Sequence, residues 1–249
     1  MMKESNVKIM TFVKAIDKEF FDSFINLGQI CMNTAKWFRD YENLDNNIGD
    51  SFEGAKMACG HGMKVMIGDP IKSYNSKEEY LEQLKNINWT ELTNNATNCK
   101  FHDLQENANI FSLYAITDDS LDEINGNYLV DKKFIKEFSN HRFVIFVRPL
   151  DFLLRMKEAI SKLGKSMESK MVDYYKLDEK LIENLTYFDK PDRFKYQNEF
   201  RLMFKDKNAE KQIINIGTLN EICIEIDLSK KYIILSNDKG SIIKLADEN

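Results

Sequence analysis

Five short apolar runs crowd the chain after Pro191: "YQNEFRLMF", "KQIINIG", "EICIEIDL", "KKYIILS" and "GSIIKL". Each has strand length, is rich in β-branched and aromatic residues, and is set off by turn residues such as Asp238-Lys239-Gly240. Runs so short, with no helical pattern between them, satisfy their backbone by pairing antiparallel with neighbours. Upstream the pattern is mixed. Strands are expected at "VKIMTFV" (7–13), "QICM" (29–32), "GMKVMIGDP" (62–70), "NIFSLYAI" (109–116), "RFVIFVRP" (142–149) and "SKMVDYYKL" (169–177). Helices are expected over 17–28, with Asp17 as N-cap and Gly28 as stop, and over 76–87, with a Ser76–Glu79 capping box. Two more are expected over 131–140 and 150–164. The fold class is α+β, with a strand-rich, largely antiparallel C-terminal third. Core strands are expected within 7–32, 62–70, 109–116, 142–175 and 196–245, and an irregular loop over 33–58. No repeat or linker divides the chain, so residues 1–249 read as a single domain.

With 43% hydrophobic and 30% charged residues and 3 prolines, the composition describes an ordered globular chain. A net charge of −5 argues against general nucleic-acid binding, which relies on clustered Lys and Arg. No apolar run approaches the roughly 18–20 residues of a membrane span. The first residues have acids in their apolar part and no small-residue cleavage site, so no signal peptide is read there and a cytoplasmic setting is expected. The 4 cysteines are far apart, which suits reduced thiols. Two of the 3 histidines neighbour cysteines, in Cys59-Gly-His61 and Cys99-x-x-His102. Those spacings can supply two chelating pairs for a Cys2His2 zinc site, although neither is the usual C-x2-C. Buried thiols with incidental histidines are the plainer reading, and zinc is not expected.

In "RFKYQNEFRLMF" (193–204), a strand over 196–205 puts Tyr196, Asn198, Phe200, Leu202 and Phe204 on one face. Gln197, Glu199, Arg201, Met203 and Lys205 take the other. One reading makes that second face a solvated surface with a cross-strand charge pair. The other is catalytic. A carboxylate beside a developing oxocarbenium ion stabilises the positive charge, and an amide two residues earlier orients the group receiving the sugar.

This Gln-x-Glu arrangement resembles the catalytic strand of mono-ADP-ribosyltransferases, which break the nicotinamide–ribose bond of NAD. The resemblance implies NAD as substrate, Glu199 as the catalytic carboxylate and Gln197 as the residue positioning the acceptor. The opening order, a strand, a helix ending "LG" and the short strand "QICMN", is similar to the start of ADP-ribosyltransferase-like folds. The family's first strand carries an Arg or His that grips NAD, where this chain offers only Lys8 and Lys14. Its second strand carries a Ser-Thr-Ser triplet or a Tyr, where Thr34 alone stands in.

A second constellation lies in "WFRDYENLDNNIGDSFEG" (37–54), where Arg39, Asp50 and Glu53 are pocket candidates. Its acids can bind a divalent metal if they converge, and otherwise form an exposed acidic loop. Asp50, Glu53 and Lys56 have a spacing one residue too long for a nuclease Glu-x-Lys. Together, "FR…IGD…EG", "NIFSLYAI" and "FKYQNEFR" resemble an uncharacterised family of bacterial and phage-borne proteins, which implies a cleft shared by loop and late strand. Three readings therefore stand. The first is an NAD-using ADP-ribosyltransferase-like enzyme, a toxin or phage–host conflict factor acting on a protein acceptor. The second is a non-catalytic module of a phage or phage-defence system that binds a protein partner. The third is a metal-dependent nuclease.

Overall fold

The computed structural model describes residues 7–42, 48–67, 76–88, 90–103, 107–122, 127–128, 130–178, 180–228, 232–235 and 243–246. Strand β1 (Ile9–Ile16) leads through a 3-10 turn to α1 (Phe21–Leu27), which buries Phe21 and Phe24. Gly28 ends the helix at φ 59°, and a Cβ there would lie 2.0 Å from the Gly217 carbonyl oxygen, so glycine is required twice over. Asp17 makes no cap; its carboxylate instead meets His141 Nε2 at 3.0 Å. Strand β2 (Gln29–Thr34) runs directly into α2 (Ala35–Tyr41), a helix inside the segment expected to be irregular. The turn residues and acids beyond it masked two turns whose signals are local. Thr34 Oγ1 accepts from the Trp37 amide at 3.0 Å, and Trp37 stacks on Tyr41 with centroids 4.3 Å apart.

Turns over 51–54 lead to β3 (Ala55–Cys59), followed by β4 (Met63–Ile67) and α3 (Lys77–Lys85). Ser76 caps α3 through the Glu79 amide at 3.1 Å, as its spacing requires. Next come β5 (Thr90–Ala96) and β6 (Cys99–His102), whose polar composition hid them. The long β7 (Ala108–Thr117) precedes the short β8 (Leu121–Asp122) and β9 (Asn127–Tyr128). Helix α4 (Lys132–Glu137), β10 (Arg142–Phe146) and α5 (Pro149–Lys162) follow. The expected strand over 169–177 is broken at Val172 into β11 (Glu168–Met171) and β12 (Asp173–Tyr175). Then come β13 (Ile182–Glu183), β14 (Asp189–Pro191), a 3-10 turn over Asp192–Gln197, and β15 (Glu199–Lys205). Strands β16 (Gln212–Asn215), β17 (Cys223–Ile226), β18 (Tyr232–Leu235) and β19 (Ile243–Ala246) complete an α+β fold. The expected turn at Asp238, and the end of the 62–70 strand, lie outside the described residues.

The main sheet has 8 strands in the order β11-β15-β7-β1-β10-β17, with β2 and β16 branching from β7, and its pairings are antiparallel. One face carries the largest core, in which Phe12, Phe111, Phe146, Phe200 and Leu202 pack against α5 through Phe152, Met156 and Ile160. Each of those three α5 side chains is fully buried, which stabilises the layer by about 1.5–3 kcal/mol apiece. The other face holds two smaller clusters, one around Phe134 of α4 and one around Ile110, Tyr187 and Met203.

The sheet forks at its centre. Strand β15 lines one edge of β7 from Ala108 to Tyr114, so β1 and β2 must share the other edge. Strand β1 pairs with Tyr114–Thr117 and β2 with Asn109 and Ile110. Between them, at Phe111–Leu113, the two strands part.

Candidate functional site

The strand expected over 196–205 begins later, at Glu199. Asn198 adopts the left-handed conformation (φ 35°, ψ 54°), and its side chain donates to the Ala115 carbonyl at 2.7 Å. Asparagine tolerates that region better than most residues, and the kink ends the 3-10 turn that carries Gln197. Gln197 and Glu199 are therefore not neighbours on one strand face. From Glu199 onward the alternation holds: Phe200, Leu202 and Phe204 enter the large core, while Glu199, Arg201 and Met203 face the other way. That polar face is not solvated. Glu199 is 2% exposed and Arg201 1%, which overturns the reading of them as surface decoration.

A closed set of charges accounts for this burial. Glu199 Oε1 accepts from Arg201 Nε at 2.7 Å and from Ser112 Oγ at 2.5 Å. Its Oε2 accepts from Lys190 Nζ at 3.0 Å, and the same amine donates to Gln197 Oε1 at 2.8 Å. Lys190 thus joins the amide and the carboxylate that the strand itself does not align. Arg201 presents its other edge to Glu53 as a bidentate pair, at 2.7 and 3.0 Å, and donates to the Tyr187 carbonyl. The Glu199 amide donates to Tyr174 Oη at 2.9 Å.

The loop after α2 closes over this face. Asp50 N donates to the Phe38 carbonyl at 2.9 Å, Asp50 Oδ1 accepts from the Phe52 amide at 3.0 Å, and Arg39 Nη1 reaches the Glu53 carbonyl at 2.9 Å. Gly54 turns the chain at φ 68°, where a Cβ would come within 2.4 Å of the Tyr187 ring. The structure so brings Glu53, Arg201, Glu199 and Gln197 together, with Asp50 and Arg39 behind them. Thr34 belongs elsewhere, as the cap of α2, because its hydroxyl is taken by the Trp37 amide.

Electrostatics follow from the contacts. Burial opposes the Glu199 charge, but Arg201 and Lys190, with bonds from Arg201 and Ser112, hold its carboxyl well below the usual range. Burial also works against the Arg201 guanidinium, and Glu199 and Glu53 more than offset it. Burial pushes Glu53 upward while Arg201 opposes. Asp50, 1% exposed, is raised by burial, and its Oδ2 has no hydrogen-bond partner.

Beside this network, in the fork of the sheet, lies a cavity of about 400 Å³. Lys190, Gln197 and Glu199 reach it from one side, and Trp37, Phe38 and Tyr41 of α2 form an aromatic wall. Such a volume and an apolar lining with a few convergent polar groups suit a small molecule. Lys14 sits in the fork, its Nζ bonded to the Ser112 carbonyl at 2.9 Å and 4.6 Å from the Phe111 ring centroid. Burial lowers its pKa to about 8 against the opposing pull of Glu199, Cys31 and Asp17.

The four residues considered for zinc do not converge. Cys59 and Cys99 face each other across β3 and β6, but His102 pairs with Ala55, four residues or about 13 Å along the strand. His102 Nε2 bonds the Ser51 carbonyl, and the Cys59 thiol the carbonyls of His61 and Asp178. Among the described residues no group of three His, Cys, Asp or Glu side chains is placed to hold a metal ion. Among them too, no helix is long and apolar enough to cross a membrane.

Sequence reasoning missed Lys190 and Ser112. Lys190 sits in Asp189-Lys190-Pro191, where the proline biases it to extended backbone, but nothing local says that the amine turns inward. Comparison with protein-family models, curated proteins and solved structures finds no match.

Proposed function

We propose that the fork is the substrate site of an enzyme that breaks the N-glycosidic bond of NAD and passes the ADP-ribosyl group to an acceptor. One observation carries this reading: an ionised, buried carboxylate at the wall of an aromatic-lined cavity, tied through Lys190 to an amide. As nicotinamide leaves, positive charge grows at the ribose carbon. A fixed negative group there stabilises the transition state more than the ground state, and in a dry site it is already oriented. Three donors reach Glu199, which leaves acceptor capacity on Oε2 for a ribose hydroxyl. Trp37 and Tyr41 offer a stacking surface for a flat ring. Gln197 orients the acceptor, its carbonyl oxygen fixed by Lys190.

The test is NAD consumption and labelled-NAD transfer with lysate, comparing the natural chain with Glu199→Gln. Turnover that falls by about 10²-fold or more in the variant supports the reading. No turnover together with no NAD-dependent thermal shift ends it.

A second reading is a protein-binding module, and the surface of α5 favours it. Leu150 and Leu154, one helical turn apart, are 72% and 64% exposed. In that case Leu150→Ser/Leu154→Ser abolishes partner capture while Glu199→Gln leaves it intact. No observation favours a nuclease, because Arg201 holds both Glu53 oxygens.

A further inference from the structure

Lys14 is placed unlike a surface lysine. It projects into the gap where β1 and β2 diverge along β7, and among the described residues the one hydrogen bond of its ammonium, at 2.9 Å, goes to a backbone carbonyl, Ser112 O. Among the described residues no carboxylate lies within ion-pair distance of its Nζ, although Glu199 of β15 is near enough to act on it through space. The Phe111 ring lies beneath the amine, and the cavity it enters has aromatic walls from α2. A lysine that stabilises a fold normally keeps its ammonium in water or against an acid. This one is half-buried, has no acid within ion-pair distance among the described residues, and faces a half-open cavity of about 400 Å³.

We propose that Lys14 is a reactive amine that captures a small aldehyde or ketone with an apolar or aromatic body, forming an imine inside the fork. The chemistry needs no further cofactor. The nitrogen lone pair of the neutral amine attacks the carbonyl carbon, forming the C–N bond as the C=O π pair moves to oxygen. A proton passes from nitrogen to that oxygen to give a carbinolamine. Protonation of its hydroxyl lets the C–O bond break with loss of water, nitrogen gives up its remaining proton to solvent, and the C=N bond is left. Amine and carbonyl thus become imine and water. Desolvation in the fork favours the neutral amine: a lysine near pKa 8 is about one-fifth unprotonated at pH 7.4, against less than about one-thousandth for an ordinary lysine. The groups that face Lys14 are Glu199 on β15, Cys31 on β2 and Asp17 after β1; each of them favours its charged form.

The experiment is reductive trapping with benzaldehyde and sodium cyanoborohydride, which delivers hydride to the imine carbon while water supplies a proton to nitrogen. Peptide mapping then locates the benzyl group. The expected result is labelling at Lys14 at least about tenfold faster than at any other lysine near neutral pH, and none at that position in Lys14→Arg. Labelling of the natural chain should rise with pH, reach half its maximum near pH 8 and level off by about pH 9. Labels spread over surface lysines with Lys14 spared overturn the proposal, as does a rate at Lys14 still climbing at about pH 10. The natural chain's profile decides the matter even if Lys14→Arg fails to fold. The outcome is independent of NAD: labelling at Lys14 with neither NAD turnover nor an NAD-dependent thermal shift supports the reactive amine and defeats only the glycosyl-transfer reading.

Discussion

Glu53 and Arg201, 148 residues apart in sequence, form a bidentate ion pair with N–O distances of 2.7 and 3.0 Å and almost no solvent contact. Two buried charges in this geometry hold the 48–54 segment against the sheet. Breaking the pair costs more than forming it gained, because one charge is left in a dry interior. Glu53→Ala should lower the unfolding free energy by about 3–5 kcal/mol, and Glu53→Gln by less, since the amide still accepts one bond. Urea unfolding followed by circular dichroism measures both; a Glu53→Ala loss below about 1 kcal/mol would mean the pair is incidental.

Asp50 gives the opposite sign. Its folded pKa is raised, so between the unfolded value near 3.9 and the folded value the native state holds more protons than the unfolded chain. Stability contributed by the protonated form is lost as pH rises through that window. Asp50→Asn removes the charge and keeps an oxygen for the Phe52 amide. The variant should match or exceed the natural chain in stability at pH 7, with a flatter profile from about pH 4 upward. Melting temperatures across that range check it, and a clear loss at pH 7 contradicts it.

Glu199 behaves as a depressed carboxylate. Its contribution is complete above its unfolded value near 4.3 and disappears as pH falls toward the folded one. The stability gap between the natural chain and Glu199→Gln should therefore be constant near neutrality and shrink steadily in acid. Unfolding curves collected from about pH 6 down to pH 2 show whether the gap closes.

Trp37 stands on the cavity wall, stacked on Tyr41 at 21° between ring planes. A flat ligand entering the cavity displaces water from the indole and should change its emission. Titration with NAD or nicotinamide is expected to give a saturable signal that vanishes in Trp37→Phe, even though Trp89 remains. An unchanged signal in that variant would place binding elsewhere.

Gly54→Ala tests the closing of the loop from its backbone. A Cβ would sit 2.4 Å from Tyr187 Cε1, and φ is 68°. The combined clash and strain should cost at least about 1–3 kcal/mol, and the Tyr187 carbonyl, an acceptor for Arg201, shifts with its ring. By contrast Gly217, also at positive φ, has nothing within 4 Å of a Cβ, so Gly217→Ala should lose only the strain, about 1–2 kcal/mol.

Local signals carried much of the fold. The apolar run at 109–116 is β7, that at 142–149 supplies β10 but gives way to α5 at Pro149, and Ser76 starts α3 and Gly28 ends α1 where expected. The alternation in "EFRLMF" correctly put Glu199 and Arg201 on one face, but alternation says which residues share a face and not what covers it. Burial of that face depends on Glu53, and no periodicity relates positions so distant. A two-residue period extends the strand to Gln197, because one left-handed asparagine is invisible to it. Lys190 was missed for a related reason: its partners, Gln197 and Glu199, are set by tertiary packing rather than by spacing.

The fork also sets a timetable for folding. Strand β1 emerges early in synthesis, yet its neighbours begin at Ala108 and Arg142, and β15 completes the other edge of β7 only after Glu199. Until then Glu53 has no guanidinium and Lys190 no carboxylate. Loop closure over such separations is entropically expensive and slow, so the charged half of the cavity forms late, with only β16 and β17 of the main sheet still to follow. A nascent chain stalled before β15 thus displays an apolar sheet edge at β7 and two uncompensated charges, the Glu53 carboxylate and the Lys190 amine. The same late strand that brings Glu199 to the cavity is what removes both liabilities.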